Sequence, residues 1–76
     1  MRLEYDPDTD ALYVYLREPQ EGRTPKTERV DATRAIDWLD GEAVGVEFLD
    51  VSEGVDVSGL PSEEAIRAAL EALTAA

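Results

Sequence analysis

The chain has no cysteine and no histidine, and only one lysine, one tryptophan, one phenylalanine and one methionine among its 76 residues. Without cysteine no disulfide can staple the fold, and without either residue the usual Cys/His zinc sites cannot form. The same gap weakens covalent catalysis: Ser52, Ser58 and Ser62 have no histidine to activate them, and Lys26 stands in a charged segment. Gly41, Gly45, Gly54 and Gly59 are scattered among acids, so no glycine-rich phosphate loop is present. No apolar run approaches the roughly 20 residues that span a bilayer. The opening Met-Arg-Leu-Glu-Tyr carries a charge at every second position, which is not the pattern of a signal peptide. A soluble chain is expected, and the lack of cysteine fits a cytoplasmic one.

Positive charge is also scarce. Seven basic residues face eighteen acidic ones, for a net charge of −11. Residues 1–19 hold two basic and five acidic residues, residues 20–34 four and three, and residues 35–76 one and ten. Such a surface repels phosphate backbones and disfavours nucleic-acid binding. Arg23, Lys26, Arg29 and Arg34 gather in the middle, but Glu21, Glu28 and Asp31 interleave with them, as on a mixed-charge exposed strand.

What is present is strand patterning. Leu3 and Tyr5 alternate with Arg2 and Glu4, and Asp6-Pro7-Asp8 supplies a turn. Leu12, Val14 and Leu16 then share one face, with Ala11, Tyr13 and Tyr15 on the other; both faces are apolar, as in a central or doubly covered strand. Residues 17–25 form a breaker-rich loop, and Thr27 to Val30 is a charged edge strand. Ile36 and Trp38 share a face, with Asp37 turned away. Asp40-Gly41 marks a hairpin, beyond which Val44, Val46 and Phe48 alternate with Gly45 and Glu47. Residues 50–59 read as an irregular link with room for a short strand. From Pro61 to Ala75, Ile66, Ala69, Leu70 and Leu73 make one apolar helical stripe, with Glu63 and Glu64 at the positive end of the dipole.

The expectation is one α+β domain over residues 1–76: an antiparallel β-meander of four to five strands and a C-terminal α-helix packed on one face. Its sheet part is 1–51, its link 52–60 and its helix 61–75. A core this small supplies little net stability, which favours self-association as a dimer. Leu12, Tyr13, Val14 and Tyr15 are the expected contact residues, and the tyrosines are better placed in packing than under a ligand.

The run Y-D-P-D-T-D-A-L-Y-V-Y-L at 5–16 resembles the opening signature of the family catalogued as domain of unknown function 2283. A-I-D-W-L-D-G-E-A-V-G-V-E-F-L-D at 35–50 resembles its second half, a strand, an Asp-Gly turn and a strand ending in Gly-aliphatic-Glu-aliphatic-Leu. The resemblance covers about residues 1–53, and departs from the family pattern at the long 17–25 loop and at Trp38. It implies a β-meander and no known activity. Some members look like companions of small toxin-like proteins, which implies an antitoxin-like partner of a basic protein.

Two other classes compete with an interaction module. Asp6, Asp8 and Asp10 have the D-x-D-x-D spacing that opens a calcium loop and are the candidate ligands of a weak calcium or magnesium site. The pattern breaks where Ala11 replaces the needed glycine and Arg17 the bidentate glutamate. Asp37, Glu47 and Asp50, with Asp40 and Glu42 at the hairpin tip, are candidates for a small carboxylate-dependent enzyme, which needs an enclosed cleft. No catalytic residue and no cofactor is assigned.

Overall fold

A computed structural model describes residues 1–74. Arg2–Asp6 (β1) and Ala11–Tyr15 (β2) form the first hairpin. Lys26–Arg29 (β3), Arg34–Leu39 (β4) and Glu42–Phe48 (β5) form a three-strand meander. Pairing of β2 with β5, Val14 against Val46, joins the two into one antiparallel sheet of order β1-β2-β5-β4-β3. A one-turn 3-10 helix at Val51–Glu53 and an α-helix at Glu63–Thr74 (α1) follow. The architecture is therefore the expected α+β, with the β3 edge formed by the charged segment read as one.

Both hairpins close with aspartate chemistry. Asp6 Oδ1 accepts the Asp8 amide at 3.0 Å, and Asp10 ends the first turn at φ 53°. Asp40 and Gly41 both take positive φ, 52° and 79°, which matches the right-handed twist of the strands they join. Aspartate tolerates this conformation better than most residues because its short side chain bonds locally.

One face of the sheet makes the core. Leu12 and Val14 of β2, Ile36 of β4, and Val46 and Phe48 of β5 are buried with Val57, Leu60 and Ile66. The period-two reading of β2 holds, but Leu12 and Val14 thereby face this chain's own core, and among the described residues no helix or second sheet covers the half-buried Tyr13 and Tyr15. A register shift at Asp37/Trp38 corrects the reading of β5: Trp38 pairs with Ala43, leaving Val44 as an extra residue. Ala43 packs against the core, while Val44 lines a depression with Tyr13, Tyr15 and Asp37. Trp38 is only half-buried; its indole N–H donates to Glu28 Oε1 at 3.0 Å.

The link is no strand. It makes the 3-10 turn and then places Val57 and Leu60 in the core. Arg34, read as part of an exposed strand, holds it there. Its guanidinium donates to the Asp56 carbonyl at 3.1 Å and the Ser58 carbonyl at 2.8 Å, and pairs with Asp31 at 2.8 Å. The helix starts at Glu63, two residues after the expected Pro61, because Ser62 is left-handed at φ 58°. Glu63, in the first turn, accepts the Gly59 amide at 2.8 Å and pairs with Arg67 at 2.9 Å, tying the link to the helix start. Of the apolar stripe, Ile66 is fully buried, worth about 2–3 kcal/mol by area, Leu70 is half-buried, and Leu73 is exposed. Ala75, the expected end of the helix, lies outside the described residues.

Candidate functional site

The face of the sheet away from α1 is tied together by directional bonds. Tyr13 extends from β2 across Gly45 of β5, and its hydroxyl donates to Asp37 Oδ2 of β4 at 2.6 Å. The other oxygen of Asp37 accepts the Thr27 hydroxyl of β3 at 2.6 Å. A single polar line thus crosses four strands. Gly45 has an ordinary backbone conformation, so its lack of a side chain is a matter of space: a Cβ there would run into the Tyr13 ring and hydroxyl. Tyr15 meets Tyr13 edge-on at 4.6 Å between ring centres, donates to Glu4 Oε2 at 3.0 Å and carries the Arg2 guanidinium 4.0 Å above its ring. Arg29 and Glu47 approach to 3.7 Å from either side of buried Ala35. The 17–25 loop is fastened to the tip of the second hairpin through Arg17–Glu42 at 3.1 Å and Arg23–Asp40 at 2.6 Å.

This arrangement keeps tyrosines as proton donors. Burial, then the bond to Asp37, pushes the Tyr13 hydroxyl well above the ordinary tyrosine value. Its bond to Glu4 raises Tyr15, and its bond to Asp10 raises Tyr5. None of them is poised as a base at neutral pH. The depression beside Tyr13, Tyr15, Arg17, Pro19, Pro25 and Val44 is about 290 Å³ and open to solvent. The carboxylates considered for acid–base work are dispersed: Asp37 holds two hydroxyls, Glu47 faces Arg29, and Asp50 precedes the 3-10 helix in a left-handed conformation. They do not share an enclosed cleft.

The Asp6, Asp8, Asp10 run is likewise not gathered as a cation site. Asp10 turns away to bolt the first hairpin to the 3-10 helix. Its carboxylate accepts the Ser52 hydroxyl at 2.6 Å, the Ser52 amide at 3.1 Å and the Tyr5 hydroxyl at 2.8 Å. The Ser52 hydroxyl, foremost, and then Tyr5 hold Asp10 below the usual carboxylate range. Among the described residues, no group of three or more Asp or Glu side chains is arranged to hold a metal ion.

On the helix side, an apolar groove of about 690 Å³ lies along the β1 half of the molecule. Tyr5, Leu12, Val51, Val57, Leu70 and Leu73 form its walls. Tyr5 is 52 % and Leu73 59 % exposed, and Met1, two positions before Leu3, is 58 % exposed. Of the four expected contact residues, Leu12 and Val14 are buried internally, and Tyr13 and Tyr15 remain on the uncovered face. Sequence reading missed three elements: the Asp10–Ser52 bolt, the Arg34 clamp and the Gly45 seat. Only the last had a local signal, because glycine inside a strand marks a bulge or a close approach.

Fold and surface together define a small α+β protein whose sheet has one covered and one open face. The chain belongs to the family described as protein of unknown function (DUF2283), whose model matches residues 2–52. That span contains all five strands and ends within the 3-10 helix, so α1 lies beyond it. Comparison with curated proteins and with solved structures gave no match. Among the described residues no helix is long and apolar enough to cross a membrane.

Proposed function

We propose that this protein is a small protein-interaction module that self-associates through the β1 half of its sheet. The observation that carries the reading is the apolar groove flanked by Tyr5 and Leu73, two large side chains more than half exposed on a chain with net charge −11. Single exposed apolar residues are ordinary, whereas a cluster beside an apolar groove marks a contact surface. The open face supports the reading differently. Tyr13 and Tyr15 make internal bonds there, and their part is to keep the sheet rigid enough to present its outer strand. Sedimentation equilibrium from micromolar to millimolar concentration tests the proposal. A dimer that Leu73→Lys shifts towards monomer is expected, since Leu73 is exposed and its replacement leaves the core intact. A monomer throughout the range would overturn it.

A second reading, an antitoxin-like companion of a basic protein, is favoured by the charge distribution: Arg67 alone offsets ten acids between residues 35 and 76. It predicts that a basic protein co-purifies with the chain in a salt-sensitive complex.

A further inference from the structure

The sheet has two edges, and they are protected unequally. β3 is four residues long, exposed along its length, contains no apolar side chain and follows Pro25, which cannot donate a ladder bond. β1 is five residues long, has no lysine, proline or register shift, and alternates charged Arg2, Glu4 and Asp6 with apolar Leu3 and Tyr5. Among the described residues no strand pairs with its outer edge, since β1 is terminal in the sheet and joins β2 alone. An uncovered strand of this kind is a template for another strand.

The sequence of β1 also specifies which strand. About a two-fold axis perpendicular to the sheet, an antiparallel copy centred on Leu3 sets Leu3 opposite Leu3. It places Arg2 opposite Glu4 twice, and Met1 opposite Tyr5 twice. Opposite charges meet on the open face, and apolar side chains meet on the helix side. Shifting the centre to Glu4 keeps two opposite-charge pairs, Arg2 with Asp6, but sets two glutamates face to face, which disfavours that register. In the Leu3 register the exposed Met1 of one copy lies beside the exposed Tyr5 of the other. The floor of the groove thereby continues from Leu12 and Tyr5 into the second molecule. We infer that two copies of this chain pair through β1 in the Leu3-centred register, forming a continuous ten-stranded antiparallel sheet with both helices on one side.

This inference rests on the self-association proposed above and adds the surface and the register. The test is a charge-reversal series read by sedimentation equilibrium, with far-UV circular dichroism and thermal melts to confirm folding. Arg2→Glu and Glu4→Arg each convert two attractive cross-strand pairs into repulsive ones, and each should weaken the dimer by about tenfold or more. The double variant, Arg2→Glu with Glu4→Arg, restores opposite charges and should recover the dimer. Because Arg2 and Glu4 also pair with each other within the chain at 3.4 Å and contact Tyr15, the series is read together with the melts: single variants that stay folded but lose the dimer place the defect at the interface. A second readout uses the absence of native cysteine: Leu3→Cys should oxidise to a disulfide-linked dimer, whereas Glu4→Cys should do so far less. A wild-type dimer indifferent to both reversals and refractory to Leu3→Cys crosslinking would overturn the β1 pairing while leaving self-association in place. A wild-type monomer would remove both.

Discussion

The two faces of the sheet cohere by different physics. On the helix side, Leu12, Val14, Ile36, Val46 and Phe48 interlock with Val57, Leu60 and Ile66, and the attraction is non-directional. On the open side, Tyr13 spans from β2 over β5 to β4, and Asp37 passes the connection on to Thr27 of β3. The first face supplies most of the free energy. The second fixes strand alignment, because a shift of one residue in any of four strands breaks a bond. A 76-residue chain with no covalent staple thus gains rigidity on the face turned away from α1.

The comparison can be broken first where burial is complete. Phe48→Ala should cost about 3–5 kcal/mol, and Leu12→Ala about 2–4 kcal/mol, in urea unfolding. Equal costs for open-face truncations would erase the distinction between the faces. Gly45→Ala comes next, at about 1–3 kcal/mol. Its added methyl displaces the Tyr13 ring, so combining it with Tyr13→Phe should cost less than the sum of the two. Tyr13→Phe alone should cost about 1 kcal/mol, because the lost hydroxyl leaves Asp37 bonded to Thr27 and partly solvated.

The pH dependence should be smaller still, and it has two limbs of opposite sign. Asp10, Asp31, Asp56 and Glu63 are held low, chiefly by the Ser52 hydroxyl, Arg34, the Ser58 hydroxyl and the Gly59 amide respectively. The folded chain therefore binds fewer protons than the unfolded one near the carboxylate range. That stability is present above about pH 4 and is lost as pH falls through the depressed values. Tyr13 is raised, so its contribution is present below about pH 10 and is lost as pH rises towards its folded value. Melting temperature against pH should fall on both limbs. Asp10→Asn should flatten the acid limb and Tyr13→Phe the alkaline one.

The core face was legible because burial imposes period two. Leu12/Val14 and Val46/Phe48 follow from alternation alone, and Asp40-Gly41 announces its turn. Alternation failed at Val44, because a register shift inserts a residue and leaves no mark in the pattern. The α1 start moved from Pro61 to Glu63 for a related reason: the left-handed Ser62 is a backbone choice that proline statistics do not report. The open face was harder to read. Asp37 looked like an acid–base candidate and Tyr13 like a contact residue, and only the strand order shows that they lie on either side of β5. Arg34 and Asp10 find partners more than twenty and forty residues away, respectively, and no local rule reaches that far.

The strand order also fixes the route by which the chain assembles. Within β1–β2 and within β3–β4–β5 every strand neighbours its sequence successor, so each unit closes short loops at small entropic cost. Only β2 with β5 joins strands distant in sequence, at Val14 and Val46. Closing that seam should set the rate-limiting barrier. Replacements along the seam should then slow refolding, whereas those at the β3 edge should chiefly speed unfolding.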